Sequence, residues 1–268
     1  MSVVLQNGFV GIEEDLNHPR LCWRKQAGTV TASSEAEGFD AGFAYAEELV
    51  NAWKPTAAPA DWTLTFPSTA PVSYVGIGAH TIGSSGATVE IQRLVGGTWT
   101  TFPGCTITPD DDDAILFLIA PADLPSIRVR VTGAVAEIGY ILVGQVTEFP
   151  RKAPVTGVPI TQSQQVEYRD NMSMSGKPLG RTLQRDGLEF SVNIDNLPLQ
   201  FMYDEWEPFR ESMERGGRQF FFYASRPGSR PEQVALAWQR QPAPFDNTQP
   251  NAKISGSINM TCGGYRQP

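Results

Sequence analysis

The stretch from Leu188 to Tyr223 reads strand, helix, strand, and it constrains the fold more than any other part of the chain. Leu188, Phe190, Val192 and Ile194 alternate with Glu189, Ser191, Asn193 and Asp195, the period of a strand with one buried face. Asn196 offers an N-cap ahead of Pro198 in a first helical turn. From Leu199 to Arg215, Phe201, Met202, Trp206, Phe209 and Met213 recur at spacings of three and four, so they share one helix face. Glu205, Glu211 and Glu214 lie toward the other face. Pro208 inside this run predicts a kink or a short first segment. Gly216 and Gly217 end the helix, and the aromatic run Phe220, Phe221, Phe222 and Tyr223 fits a strand buried on both faces. The unit is a scaffold, with no catalytic signature.

The rest of the chain reads as short strands separated by turns. The 25 Gly and 21 Pro demand frequent turns and favour a β-rich protein. Residues 1–24 read as irregular, with turns at Asn7-Gly8 and His18-Pro19. Strands are predicted at Thr29–Ser34, Trp62–Phe66, Val72–Ala79 and Ala87–Leu94, with a Gly96-Gly97 hairpin turn leading into Thr98–Phe102. Further strands are expected at Ala114–Ile119, Ile127–Val131 and Ile138–Val143. A loop with a short helical turn is expected over Ala36–Val50. This spacing predicts an N-terminal β-sandwich of jelly-roll type. The pattern breaks at Phe149-Pro150-Arg151-Lys152, where Pro and Gly cluster through Pro159. The expected division is a jelly-roll domain over 1–148, a linker over 149–162 and a second β domain over 163–268. In the second half, Gln164–Tyr168, Gln233–Gln239 and Lys253–Cys262 read as strands, and Asn171–Gly180 and Pro242–Pro250 as loops. The predicted class is therefore mainly β: a sandwich followed by a barrel or split barrel with one packed helix.

The charge is uneven. Residues 1–150 carry 7 Lys/Arg against 17 Asp/Glu, and residues 151–268 carry 14 against 12. The overall net charge of −8 argues against a general nucleic-acid binder. Cys22, Cys105 and Cys262 have neither metal-ligand spacing nor an even count, so a reduced compartment is expected. No basic segment followed by an apolar run opens the chain, so no secretory signal is expected. No apolar run approaches the roughly 18 residues of a membrane span.

The first half resembles discoidin-like (factor 5/8 type C) domains, which are galactose-binding-like jelly rolls. The resemblance is carried by Thr31-Ala32-Ser33-Ser34-Glu35-Ala36-Glu37-Gly38-Phe39, Asn51-Ala52-Trp53-Lys54-Pro55, Trp62-Thr63-Leu64, Val72-Ser73-Tyr74-Val75-Gly76-Ile77 and Ile127-Arg128-Val129-Arg130-Val131. The whole chain is similar to tailed-phage tail-tip proteins that join such a jelly roll to a distal-tail-like domain. Phe149-Pro150-Arg151, Leu179-Gly180-Arg181-Thr182, Phe220–Tyr223 with Arg226-Pro227-Gly228, and Val234–Trp238 carry that match. It implies a virion structural protein made in the host cytoplasm and placed at the tail tip. It also implies a homo-oligomeric ring, usually a hexamer, with tail tube, hub and tail-fibre proteins as partners.

Candidate sites follow from residue chemistry. Trp53 and Trp99 are glycan-stacking candidates, because a sugar offers an apolar face to an aromatic ring; core packing is the other reading of each. His80, at a strand end, is a rim candidate or a structural histidine. Asp110, Asp111, Asp112 and Asp113 supply the clustered carboxylates that Ca²⁺ takes, without EF-hand spacing; a solvated loop is the other reading. Arg215, Arg218, Arg226 and Arg230 bracket the aromatic strand and could fork onto carboxylates across a subunit interface, or line a solvated edge. With two His and no Gly-x-Ser-x-Gly elbow, no catalytic constellation is expected, and no cofactor. The leading expectation is a structural tail-tip protein whose jelly roll holds a fibre or touches host glycan. A lectin-like module without ring assembly is the alternative, and a glycan-degrading tail enzyme the third.

Overall fold

The computed structural model describes residues 1–11, 15–152, 159–243 and 255–266. The protein is mainly β; the described residues form two sheets with a packed helical segment, besides short helical turns at Phe43–Tyr45, Ile82–Ser85 and Ile160–Gln162. Its strands are β1 (Ser2–Leu5), β2 (Arg20–Cys22), β3 (Thr29–Ala32), β4 (Ala60–His80), β5 (Thr88–Val95), β6 (Thr98–Ile107), β7 (Ile115–Thr132), β8 (Ile138–Gly144), β9 (Thr147–Glu148), β10 (Gln164–Met172), β11 (Pro178–Pro198), β12 (Phe221–Arg226), β13 (Arg230–Gln239) and β14 (Ser255–Gly264).

Two long strands make the first sandwich. The strand pairs expected at 62–66 and 72–79, and at 114–119 and 127–131, are each one continuous strand, β4 and β7. They pair antiparallel, and the register breaks between Thr65 and Ala70. On one side of that corner they carry β3, β5 and β6; on the other they carry β8 and the parallel strand β1. Each bent strand thus serves both layers. Trp62, Leu64, Ile91 and Val129 from one layer meet Val75, Ile77, Phe117 and Ile141 from the other in a single core. Gly96 and Gly97 hold positive φ (56° and 84°) in the two-residue turn between β5 and β6, where glycine carries no steric cost.

The layer holding β8 is covered on both faces, which is why β8 is buried at every position. Its second face meets the other sheet, ordered β10-β11-β14-β13-β12-β2-β9. Tyr74, Leu116, Tyr140 and Leu142 pack there against Cys22, Phe222, Val234 and Leu236. β2 and β9, from the first 148 residues of the chain, complete that second sheet. Within residues 1–24, where irregular chain was expected, Ser2–Leu5 and Arg20–Cys22 are therefore strands. β1 and β2 are short and pair with strands far away in the chain, which a local pattern does not reveal.

The opposite face of the second sheet holds a third core. Leu188, Phe190, Val192 and Ile194 all point into it, and Phe221 and Tyr223 join them while Phe222 points back to the seam. Phe190 and Tyr223 stack with centroids 5.8 Å apart although β14 and β13 lie between their strands. Strands three steps apart in a flat sheet would be about 14 Å apart, so the sheet curls strongly. The helical segment fills the curl: Leu199–Phe201 is α-helical, Met202–Trp206 forms a π turn, and Glu207–Glu214 is α-helical. The π turn absorbs an extra residue just ahead of Pro208. Pro208 then falls in a first turn, where a missing N–H leaves no bond unmade. Trp206 and Phe209 are buried, and Phe209 meets Phe221 edge-on at 5.3 Å. Asn196 does not cap this segment. It sits at positive φ (57°) in the register break of β11, and no side-chain cap bond is made there. Half of the loop expected over Asn171–Gly180 is strand, because β10 and β11 run on to a tight turn over residues 173–177. Residues 244–250 of the expected 242–250 loop, and Lys253 and Ile254 of the last strand, lie outside the described residues. Among the described residues no helix is long and apolar enough to cross a membrane.

Candidate functional site

An aromatic-lined cleft of about 570 Å³ lies at the seam between the two sheets. Its aromatic walls are Phe220, Trp238 and Tyr265. Arg218, Gln219 and Gln239 supply donors and acceptors, and Leu49 and Met213 complete the lining. Local sequence places each wall. Gly216 and Gly217 end the helical segment, with φ of 72° at Gly217, and turn the chain back so that Phe220 stands just ahead of β12. Trp238 stands near the end of β13 opposite Gly263 of β14. A Cβ on Gly263 would lie 2.5 Å from the indole, so only glycine lets that ring lie flat on the strand. Phe220 wedges edge-on between Tyr140 (5.6 Å) and Trp238 (6.5 Å).

Polar groups around the cleft are fixed from below. Arg218 Nη1 donates to the carbonyl of Trp23 at 2.7 Å. Lys25 Nζ lies 3.2 Å from Glu47 Oε1, and the hydroxyl of Tyr140 donates to Glu47 Oε2 at 3.2 Å. Burial lowers the Lys25 pKa against the pull of Glu47, and burial together with Glu47 raises that of Tyr140. Gln239 Nε2 donates to the Gln241 carbonyl at 2.6 Å, while its Oε1 has no partner among the described residues. Flat aromatic faces beside amide and guanidinium groups bind a ligand that is apolar on its faces and hydroxylated at its edge.

The residues singled out from the sequence are placed as follows. Trp53 is fully buried, and its indole N–H donates to the Ser34 carbonyl at 3.1 Å, so its ring presents no face to a ligand. Trp99 is half-buried on the outer face of the sandwich, with the Arg128 guanidinium 4.0 Å over its ring. Around it Arg128 pairs with Asp61 (3.2 Å), Arg130 approaches Asp61 and Glu90 (3.8 and 3.6 Å), and Gln92 and Thr101 donate to Glu90. One face of Trp99 is already covered by Arg128, while the buried Gln92 Oε1 has no partner among the described residues. His80 is 1% exposed, sits between the Asp113 carbonyl and the Ile82 N–H, and is held near pKa 4 by burial. It is packed under the surface and does not reach the rim.

The four aspartates are not drawn together. Asp111 takes the amino group of Met1 at 2.5 Å, Asp112 accepts from the Ser84 N–H, and Asp113 lies 4.0 Å from Arg266. Burial acts to raise the Asp111 pKa, but the hydrogen bond and charge of the amino group outweigh it and leave it lowered. Among the described residues no group of three or more His, Cys, Asp or Glu is placed to hold a metal ion. Of the arginines, Arg226 and Arg230 face each other at the β12–β13 turn, Arg215 is exposed at the helix end, and Arg218 belongs to the cleft. Sequence reading missed the cleft because its walls come from five separate segments. The one local signal was Gly263-Gly264-Tyr265 at the end of a strand whose partner carries Trp238.

No protein-family model and no curated protein matches the chain. Solved structures resemble part of it, among them carbohydrate-binding modules and a putative alpha-L-fucosidase from Bacteroides thetaiotaomicron, of which 28% is covered. A family 32 module from C. perfringens NanJ in complex with galactose has 19% identity and a TM-score of 0.41, covering 48% of this chain and 99% of that one. A pectin-binding module has 14% identity and a TM-score of 0.40, covering 46% and 93%. A chitosan-binding module from a Paenibacillus chitosanase/glucanase has 20% identity and a TM-score of 0.38, covering 50% and 100%.

Proposed function

We propose that this chain is a non-catalytic carbohydrate-binding protein and that the sugar sits in the seam cleft. The observation that carries the proposal is Trp238 lying flat on Gly263 beside Phe220 and Tyr265, within reach of Arg218, Gln219 and Gln239. Pyranose rings stack their C–H faces on such indoles, and their hydroxyls take bonds from amides and guanidinium groups. The cleft volume is in the range of small-ligand sites and accommodates the end of a glycan chain. The Trp99 surface is the weaker site, since Arg128 occupies one ring face.

The resemblance to tail-tip proteins gives such binding a setting, a phage tail touching the host surface. That setting rests on the order of the sequence motifs. Glycan-array screening followed by calorimetry tests the binding reading. A glycan is expected to bind the wild type and to be lost at least tenfold in Trp238→Ala, with far-UV circular dichroism unchanged and Trp99→Ala binding normally. Absence of any glycan ligand, or full binding by Trp238→Ala, overturns it.

A further inference from the structure

β10 is the last strand of the second sheet, and among the described residues nothing pairs with its outer side. Eight of its nine residues are exposed, all but Val166. It forms a two-stranded ribbon with the first part of β11, since β14 joins β11 only from Leu188 onward. Such ribbons are marginal in water without a covered face. Yet one face of this ribbon shows Tyr168 (51% exposed), Met172 (56%), Leu179 (70%) and Leu183 (51%) to solvent. An open edge beside an exposed apolar face is what proteins avoid unless another strand takes it.

The charges on β10 identify that strand. Glu167 and Arg169 flank Tyr168 on one face, while Tyr168 projects from the other. When β10 pairs antiparallel with a copy of itself about Tyr168, each Glu167 lies opposite the other copy's Arg169. The neighbouring registers that keep the same faces aligned set Glu167 against Glu167, or Arg169 against Arg169. Only the register centred on Tyr168 converts both repulsions into attractions. It also sets the two tyrosines side by side, each braced by its own Arg181, whose guanidinium lies 4.9 Å from the Tyr168 ring.

We infer that two copies of this chain pair through β10, antiparallel and centred on Tyr168, joining their second sheets into one. The interface is isologous, with a twofold axis through Tyr168. It is independent of the sugar site, because β10 and the cleft share no residue.

Sedimentation equilibrium on the full chain tests the inference by charge exchange. Wild type is expected to be a dimer. Arg169→Glu and Glu167→Arg each place two like-charge pairs in the interface, and each is expected to weaken dimerisation about tenfold or more. Mixing the two variants in equal amounts restores both attractions and is expected to restore the dimer. The double variant Glu167→Arg/Arg169→Glu dimerises alone for the same reason. All these side chains are exposed, so the fold is unaffected. Oxidation of Tyr168→Cys gives a cross-linked dimer, because directly opposed Cα atoms at about 4.5–5.5 Å lie within disulfide reach, and the three native cysteines are buried. A monomeric wild type, a closed ring of higher order, or a dimer indifferent to both charge reversals overturns the inference.

Discussion

Phe222 of β12 lies on the bare Cα of Gly76 in β4, so close that a Cβ on that glycine would stand 2.4 Å from the ring. Leu236 repeats the arrangement over Gly78, at 2.7 Å. The two sheets lock through these glycines, with side chains of the second filling gaps in the first. Gly76→Ala overpacks a seam buried on both sides and is expected to cost about 1–3 kcal/mol. Phe222→Ala leaves a cavity and is expected to cost about 3–5 kcal/mol. Urea unfolding measures both. A Gly76→Ala protein as stable as wild type would mean that the seam yields freely.

Trp238 and Gly263 make the same kind of contact where it bears on binding. A methyl group on Gly263 would meet the indole 2.5 Å away, and the ring must tilt into the cleft. Gly263→Ala is expected to weaken glycan binding about tenfold and to change the near-ultraviolet dichroism of the tryptophans. The far-ultraviolet spectrum stays as in wild type. Unaltered affinity would show that the flat seating of Trp238 is irrelevant to the ligand.

The parts of the fold that were legible in the sequence are those in which one period serves one face. Leu188, Phe190, Val192 and Ile194 alternate and are all buried. The helical face of Met202, Trp206 and Phe209 points inward as its spacing requires, and Pro208 marks the interruption that the π turn accommodates. Pairings between distant segments were not legible. Arg20–Cys22 becomes a strand only because β12 and β9 lie on either side of it. The candidate site divided in the same way. Trp53 offers the right chemistry by type, but whether an indole is covered depends on the strand it bridges, here at Ile138. Glu205, read as lying on the polar helix face, accepts from Arg24 and Thr147 at 3.0 and 2.8 Å and ties the helical segment to the N-terminal strands.

The three thiols test how tightly the cores close. Cys22, Cys105 and Cys262 are buried, and burial raises the pKa of each, that of Cys105 to about 12. Only the thiolate reacts at an appreciable rate. The native protein is therefore expected to show no reaction with a disulfide reagent at pH 8, and the unfolded protein to show three thiols. A fast-reacting thiol in the native state would place an opening in one of the cores.

His80 gives the stability a pH dependence whose sign is fixed by its surroundings. Burial holds its pKa near 4, against an ordinary 6.5, despite the Asp113 carbonyl and the Asp112 carboxylate that favour the proton. The unfolded chain therefore binds a proton at this residue over the interval where the folded chain does not. The stability from a neutral His80 is complete above pH 6.5 and is lost as the pH falls from 6.5 to about 4. The difference between 6.5 and about 4 corresponds to about 3 kcal/mol for a side chain with no solvent contact. Carboxylates titrate in the lower part of this interval, so the measurement is a difference. The unfolding free energy of wild type minus that of His80→Gln, followed from pH 7 to pH 4, is expected to fall steadily with acidification. A difference that stays constant over that range would show that His80 keeps its ordinary titration in the folded protein.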